Sequence, residues 1–451
     1  MTPPTPMTAR RRCGQLASAA IAAALVLAAC GSDDDGPPAR DGDTNDVTSL
    51  EDANGELQFI WPGTSDPEMR VAEDFQADLA DLNPDLSLDY NFMSWGDMAD
   101  QLAIQIQAGN PPDLTMTQDV LDLVRLQGLA PLDDYLDNSD LDRSQFRPGT
   151  LEYSTVDGQL YAVPYLAQAF TLVVNEELLT EAGMQVEDLQ TWADMEAAAE
   201  AMTTDDTHGF AYPMGNPRFA FRVPMTAAYS NDLLMNDTDP ASEQKWRELL
   251  DHFEALRPYR PAADITWDYA DMFRAYANGE IGMIAAGTFF TPNVYELNPD
   301  IIGVSRQIAY PAGPSAEQSS APVMNVGYAV FSGGDDPGLA WSVLERLVGD
   351  EWVARQASVV HVPARTTVDH EAIFEHVDEI YPNAVEGQKQ QIEDMTALID
   401  DGGVAYEPIP GQPEMEPEVQ EIMRNFNDGG ITTDEAYELL MERIGEVKDR
   451  Q

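Results

Sequence analysis

From Leu57 onward the chain alternates between two hydrophobic periods. LQFIW, Leu57 to Trp61, is an apolar run of strand length. Asp66-Pro67 then reads as a helix start, with the aspartate as cap and the proline at the first helical position. Met69, Ala72, Phe75, Leu79 and Leu82 follow at helical spacing. Leu86, Leu88, Tyr90 and Phe92 alternate with polar residues and predict a strand with one buried face. A second helix opens at Ser94, with Asp97 three residues on, and runs through Met98, Leu102 and Ile106 to a stop at Gly109. DLTMT is the next strand, and Asp119 to Gln127 the next helix, closed by Gly128. Strand and helix in strict turn predict an α/β lobe with a largely parallel sheet.

Later segments continue in the same style without a sequence repeat. LYAVPY and FTLVVN read as two strands near the middle, and IGMIAA and GYAVFS as two more. Trp192–Met202, Lys245–Leu256 and Leu339–Val348 read as helices. After Val385 the chain is mainly helical, broken by YEPIPGQPEMEP. A region of about 400 residues can bury a large core and suggests two or more lobes. No low-complexity linker interrupts Leu57–Gln451, so two lobes would be intertwined rather than strung like beads.

The N-terminal pattern is different. Arg10 to Arg12 precede an apolar run from Leu16 to Ala29, and no acid occurs before Cys30. A basic start, a short apolar stretch and small residues make an export signal over residues 1–29. The run is too short for a transmembrane helix. Leu27-Ala28-Ala29-Cys30 resembles the lipobox of bacterial lipoproteins, which implies that Cys30 is diacylated and becomes the mature N-terminus. Several acyl chains give lasting membrane attachment where one gives only marginal attachment. The other cysteine, Cys13, leaves with the signal, so the mature chain forms no intramolecular disulfide. Gly31 to Gly55, rich in Asp, Gly, Pro, Thr and Asn, reads as a disordered acidic tether.

Charge narrows the partners. Acids outnumber bases by 80 to 24, for a net charge of −56. Such a surface repels nucleic acid and anionic lipid. Lysine is scarce, with Lys245, Lys389 and Lys448 alone, a pattern that resembles proteins adapted to high salt.

Catalytic signals are poor. The chain has no GxSxG, no GxxxxGK[ST] and no GxGxxG. HEAIFEH, His370 to His376, has neither HExxH nor reversed spacing, so no metal site and no cofactor is expected. A carboxylate pair for glycoside hydrolysis stays open, because 80 acids allow almost any pairing.

Several stretches, in order, resemble the family 1 extracellular solute-binding proteins of ABC transporters, the group that includes maltodextrin- and other sugar-binding proteins. They are IQAGNPPDLTMT, LAPLDDYL, DGQLYAVPYLAQAFTLVVNEELLTEAGM with TWADMEAAAEAM, FRAYANGEIGMIAAGTFF, the AWSVLERL and VPARTTV pair, and GGITTDEAYELL. The resemblance implies an α/β, two-lobed periplasmic-binding-protein-like fold of type II, with discontinuous lobes and a ligand cleft at the hinge. It places lobe one at 57–166 plus 325–370 and lobe two at 167–324 plus 371–451. It implies a monomeric binding protein without enzymatic activity. The protein would capture a sugar and deliver it to the transmembrane subunits of an ABC permease. Cargo of another kind (a polyamine, a glycerol phosphodiester or a peptide) and a surface-anchored glycoside hydrolase are the alternatives.

In open α/β sheets ligands lie beyond the carboxyl ends of strands. That rule selects Trp61, Gly63 and Thr64 after LQFIW; Thr117, Gln118 and Asp119 after DLTMT; and Tyr165 and Gln168 after LYAVPY. Asp119 is equally suited to capping the helix that follows. By resemblance, Gln168 stands where maltodextrin binders carry a ligand-contacting acid, and Phe289 and Phe290 where the family often stacks a tryptophan on a sugar ring. Trp95, Trp267 and Tyr406 are further aromatic candidates, with core packing as the competing role for each. Asn325, Gly327 and Tyr328 open a strand at a second crossing between lobes. Arg218 and Arg222 stand out in so acidic a chain, either for gripping an acidic ligand such as a uronate or for pairing with surface carboxylates.

Overall fold

A computed structural model describes residues 47–147, 149–360 and 362–451. The export segment, Cys13 and Cys30 lie outside the described residues. The expected tether reaches Gly55, yet its last residues are held against the fold. Asn83 donates from Nδ2 to the carbonyls of Leu50 and Ala53, at 2.8 and 2.7 Å. The Ser342 hydroxyl donates to the Thr48 carbonyl at 2.6 Å.

Twelve strands are present among the described residues: β1 (Gly55–Pro62), β2 (Leu86–Met93), β3 (Leu114–Thr117), β4 (Thr155–Val156), β5 (Gln159–Leu160), β6 (Val163–Asn175), β7 (His208–Ala211), β8 (Ile281–Gly287), β9 (Ser305–Ile308), β10 (Ala321–Val330), β11 (Val362–Pro363) and β12 (Gly403–Ala405). β4 and β5 form a separate hairpin. The main sheet runs β2-β1-β3-β10-β6-β8-β7, with β9 and β11 also on β6 and β12 on β10. β1 is parallel to β2 and β3, as the strand–helix alternation predicts, and β7 is parallel to β8. The centre departs from a parallel sheet: β10 is antiparallel to β3 and β6, and β8 and β9 are antiparallel to β6.

β6 is the second departure. LYAVPY and FTLVVN are not two strands; from Val163 the chain continues as one strand of 13 residues, every one buried. A strand covered on both faces loses its polar alternation, so apolar runs give no sign of where one strand ends. Residues 163–169 pair with β10 and residues 170–174 with β8, so β6 belongs to both halves of the sheet.

Two large hydrophobic clusters underlie the sheet, the first reaching from β1 across to Ile284 of β8. Phe59, Phe75, Leu79, Tyr328 and Trp341 contribute to one. Leu172, Trp192, Trp246, Phe253 and Phe426 contribute to the other. Full burial of each such side chain is worth roughly 1.5–3 kcal/mol.

Three helices follow the parallel strands: α1 (Asp66–Leu82), α2 (Trp95–Gln107) and α3 (Val120–Arg125). The cap of α1 is Ser65 rather than Asp66, because Ser65 and Glu68 complete a reciprocal capping box. A further helix, Pro217–Tyr229, carries Pro224 in its interior. Proline there frees the carbonyl four residues earlier, that of Ala220. The Tyr212 hydroxyl donates to that carbonyl, so the buried helix keeps its hydrogen bonding complete.

Candidate functional site

The carboxyl ends of β1, β2, β3 and β8, with β6 between them, converge on one cleft. From one half come Gly63, Thr64 and Glu68 after β1, Ser94 and Trp95 after β2, and Gln118 after β3. Gln168 and Phe170 come from β6. From the other half come Arg218, Phe219 and Arg222 on the Pro217–Tyr229 helix, Tyr269, and Phe289 and Asn293 after β8. The space between these walls is about 610 Å³, counted out to its solvent mouth. Beneath Glu68, Trp95, Gln168 and Phe289 an inner recess of about 460 Å³ continues to Trp61, Met116, Tyr165 and Gln356.

Local sequence explains how each wall is set. Gly63 has φ +131°, and a Cβ there would lie 2.9 Å from the Glu68 carboxyl, so only glycine lets the chain turn past this side chain. Ser94 caps α2 and puts Trp95 at its first position, half-buried beside the cleft. Asn216 caps the Pro217–Tyr229 helix, so Arg218, Phe219 and Arg222 lie within its first two turns. Phe289 meets Phe170, Phe219 and Phe273 edge to face at 5.8 to 6.2 Å between ring centres.

The polar groups divide into satisfied and unsatisfied. Gln118 donates to the Gln168 side chain and accepts from Arg218 Nη2 at 2.9 Å. Arg218 also pairs with Asp119 at 3.4 Å, and its guanidinium lies 5.9 Å from the Trp95 ring centre. This arginine therefore joins the helix of one half to the β3–α3 turn of the other. Burial pushes the Glu68 carboxyl above the ordinary carboxylate range, against the hydrogen bonds from Ser65. Glu416 is also pushed up by burial, with Arg218 and Arg222 pulling the other way.

A likeness to known proteins accompanies this geometry. The family model described as "Bacterial extracellular solute-binding protein" matches residues 65–354. The chain belongs to that family. A binding protein of Brucella abortus is 24% identical over 288 residues, 60% of this chain and 67% of its own. Among solved structures, an ABC transporter solute-binding protein from Thermotoga lettingae bound with α-D-tagatose has a TM-score of 0.72 at 17% identity. That match covers 87% of this chain and 100% of the other. A maltose-bound protein of T. maritima has a TM-score of 0.71 at 16% identity, covering 88% and 100%. These likenesses show the two-lobed α/β binding-protein fold.

Within this solute-binding protein, the residues singled out by sequence fall into three groups. Thr64, Trp95, Gln118, Gln168, Arg218 and Phe289 line the cleft, and so does Arg222. Trp61 and Tyr165 line the inner recess. The others do not line either space. Thr117 is buried and accepts from the Asp119 amide. Asp119 stands at the N-cap position of α3 without a side-chain cap bond and faces Arg218 instead. Phe290 begins a helix one residue past Phe289 and is wholly buried against Phe273 and Tyr276. Tyr328 stacks on Tyr165 at 4.6 Å in the core. Asn325 donates to the Thr150 carbonyl at 2.8 Å. Tyr406 is buried with its hydroxyl on Gln412, and Trp267 packs half-buried against the first cluster.

The reading from sequence missed Glu68, Ser94, Phe170, Phe219, Tyr269 and Asn293. Two of them also have local roles in the structure, Glu68 and Ser94 as capping residues. Position beyond a strand end could have marked Glu68, Ser94 and Asn293, but not Phe170, which lies within β6, or Tyr269, which follows no strand.

In the His370–Ile380 helix, His370 meets the Thr396 hydroxyl at 3.1 Å and His376 faces Arg355 at 3.4 Å. Among the described residues no cluster of His, Cys, Asp and Glu is placed to hold a metal, and no helix is long and apolar enough to cross a membrane.

Asp122 of α3 carries a measurable cost. It accepts from the Gly411 amide at 3.3 Å, yet burial first and the Asp119 charge second push its carboxyl up to about 6. The folded chain thus keeps a proton between about pH 4 and 6 that the unfolded chain releases, so stability is lost as pH rises through that window. Asp122→Asn is expected to stabilise the fold by about 1–3 kcal/mol at pH 7 and by little at pH 4. Urea midpoints of the variant and wild type at the two pH values check this.

Proposed function

We propose that this protein is the substrate-binding lipoprotein of an ABC importer, capturing a carbohydrate in the cleft and passing it to a membrane permease. The observation that carries the reading is the mixture of groups on the two walls. Five aromatic side chains, Trp95, Phe170, Phe219, Tyr269 and Phe289, alternate with the amides of Gln118, Gln168 and Asn293. Aromatic rings pack on the apolar faces of a sugar ring, and amides satisfy its hydroxyls. The tagatose and maltose held by two proteins of like fold support the same reading.

Binding needs no bond-breaking step. A ligand touching both walls favours the closed arrangement by its differential affinity for closed over open. The closed form then docks on the permease. Cys30 would keep the protein at the outer face of the membrane, within reach of it.

A thermal-shift screen of the full chain against mono- and oligosaccharides, polyols and polyamines tests the reading. A sugar that binds only the folded state at a hundredfold excess over its Kd adds about 2.7 kcal/mol and raises the midpoint. A shift by a polyamine and by no sugar would contradict the proposal, and so would cleavage of a bound glycoside.

A further inference from the structure

Arg222 differs from every other buried arginine of the described chain. Four arginines are less than a tenth exposed: Arg218, Arg222, Arg260 and Arg365. Three have a carboxylate within 4 Å. Arg218 pairs with Asp119, Arg260 with Asp264 at 2.8 Å, and Arg365 with Asp350 at 3.1 Å. Arg222, 3% exposed, has no such partner among the described residues. Its Nη1 meets only thioether sulfur, Met324 at 3.2 Å and Met225 at 4.0 Å. Its Nε is buried without a hydrogen-bond partner. The guanidinium sits instead between aromatic faces, 5.2 Å from the Phe170 ring centre and 5.6 Å from that of Tyr406.

A guanidinium cannot shed its proton, and thioethers are weak acceptors. Leaving it dry and unpaired is costly unless something supplies the missing acceptor. In a chain with 80 acids, a carboxylate in direct contact would be the ordinary solution, yet among the described residues none pairs with Arg222, and Glu416 acts on it only through space. The group lines the cleft, so a ligand can reach it.

We infer that Arg222 is an anion subsite and that the carbohydrate taken by this cleft carries a carboxylate, as a uronic acid does. The inference rests on the sugar-binding reading above. Asp119 pairs directly with Arg218. The one other acid acting on both arginines, Glu416, makes no ion pair with Arg222 and is pushed by burial toward its neutral form, so Arg222 is left without a direct counter-charge on the wall. The planar fork of the guanidinium accepts a planar carboxylate through two parallel hydrogen bonds. A phosphate monoester, with nearly two charges, would leave an excess negative charge in the cleft.

Isothermal titration of the full chain with matched pairs tests this. The probes are glucuronate against glucose, galacturonate against galactose, digalacturonate against lactose, and glucose 6-phosphate. An acidic sugar is expected to bind about tenfold or more tighter than its neutral partner. Arg222→Gln is expected to abolish that preference, bringing the acidic sugar to the affinity of its neutral partner measured on the same variant. Equal or tighter binding of the neutral partner overturns the anion subsite and leaves the sugar reading standing. Tightest binding of glucose 6-phosphate overturns the carboxylate assignment. If no sugar binds but a short carboxylic acid such as succinate does, and Arg222→Gln abolishes it, the sugar reading fails and the subsite stands. Silence from all of these probes counts against both. A ligand-free measurement decides independently: Arg222→Met, which removes an unsatisfied buried charge, is expected to raise the thermal midpoint. A fall of the midpoint would show the guanidinium to be a structural group and would overturn the proposal.

Discussion

Asp264→Ala is expected to lower the unfolding free energy by about 3–5 kcal/mol, the cost of stranding a buried charge. Asp264 is 1% exposed and holds the Arg260 fork through two bonds, Nε to Oδ2 at 2.8 Å and Nη2 to Oδ1 at 2.9 Å. The same carboxylate accepts the Tyr212 amide at 3.0 Å. Arg260 reaches on to the Asn427 side chain, so its removal from water is compensated on several sides. Alanine keeps none of this and leaves the guanidinium without its counter-charge. The carbonyls of Asp264 and Trp267 also receive the amides of Met214 and Gly215, at 3.0 and 2.7 Å, just ahead of the helix that bears Arg218 and Arg222. The damage therefore falls on the cleft wall as well as on the core. Urea unfolding reads the effect as a lower midpoint at unchanged slope. A midpoint within a few tenths molar of wild type would show that the pair is not what holds this corner.

Trp95→Ala is expected to weaken carbohydrate binding by about 2–4 kcal/mol, the range for a central aromatic anchor, or roughly 30- to 1,000-fold. Trp95 borders both the cleft and its inner recess. Its ring faces the Arg218 guanidinium on one side, which fixes its orientation before a ligand arrives. Trp267 is the contrasting case. Like Trp95 it is a further aromatic candidate in the sequence, with core packing as the competing role, but it lines neither space. Trp267→Ala is expected to leave affinity unchanged. Titration calorimetry on both variants reads the difference. Equal losses would mean that the ligand lies elsewhere.

How much of this was legible in the chain depended on whether a segment had one buried face or two. α1, β2 and α2 each expose one side to water, so their periods could be counted directly. β6 and the greater part of β10 are buried on both sides, and without alternation the sequence could show neither the fused length of β6 nor the antiparallel centre of the sheet. The cleft followed the same logic. The rule of strand carboxyl ends led to Thr64 and Gln118, because it needs only strand positions. Gln168 was reached through a strand end that the structure does not have, and it enters the cleft from the middle of β6. Arg222 was visible because bases are rare here. Phe290, one residue past Phe289, turns into the core instead, and Tyr328, placed by sequence at the opening of a strand, stacks there on Tyr165. Glu68 and Tyr269 went unnoticed because the Ser65–Glu68 capping box and the helix that opens at Tyr269 were themselves not read from the sequence.

The central claim is that a sugar binds between the two walls of the cleft. Parallel titrations of the full chain and its Trp95→Ala variant, with the sugar that gives the largest thermal shift, test it most directly. The account predicts saturable one-to-one binding to the wild type and a loss of at least about 30-fold in the variant. Binding of equal strength in both proteins would contradict it.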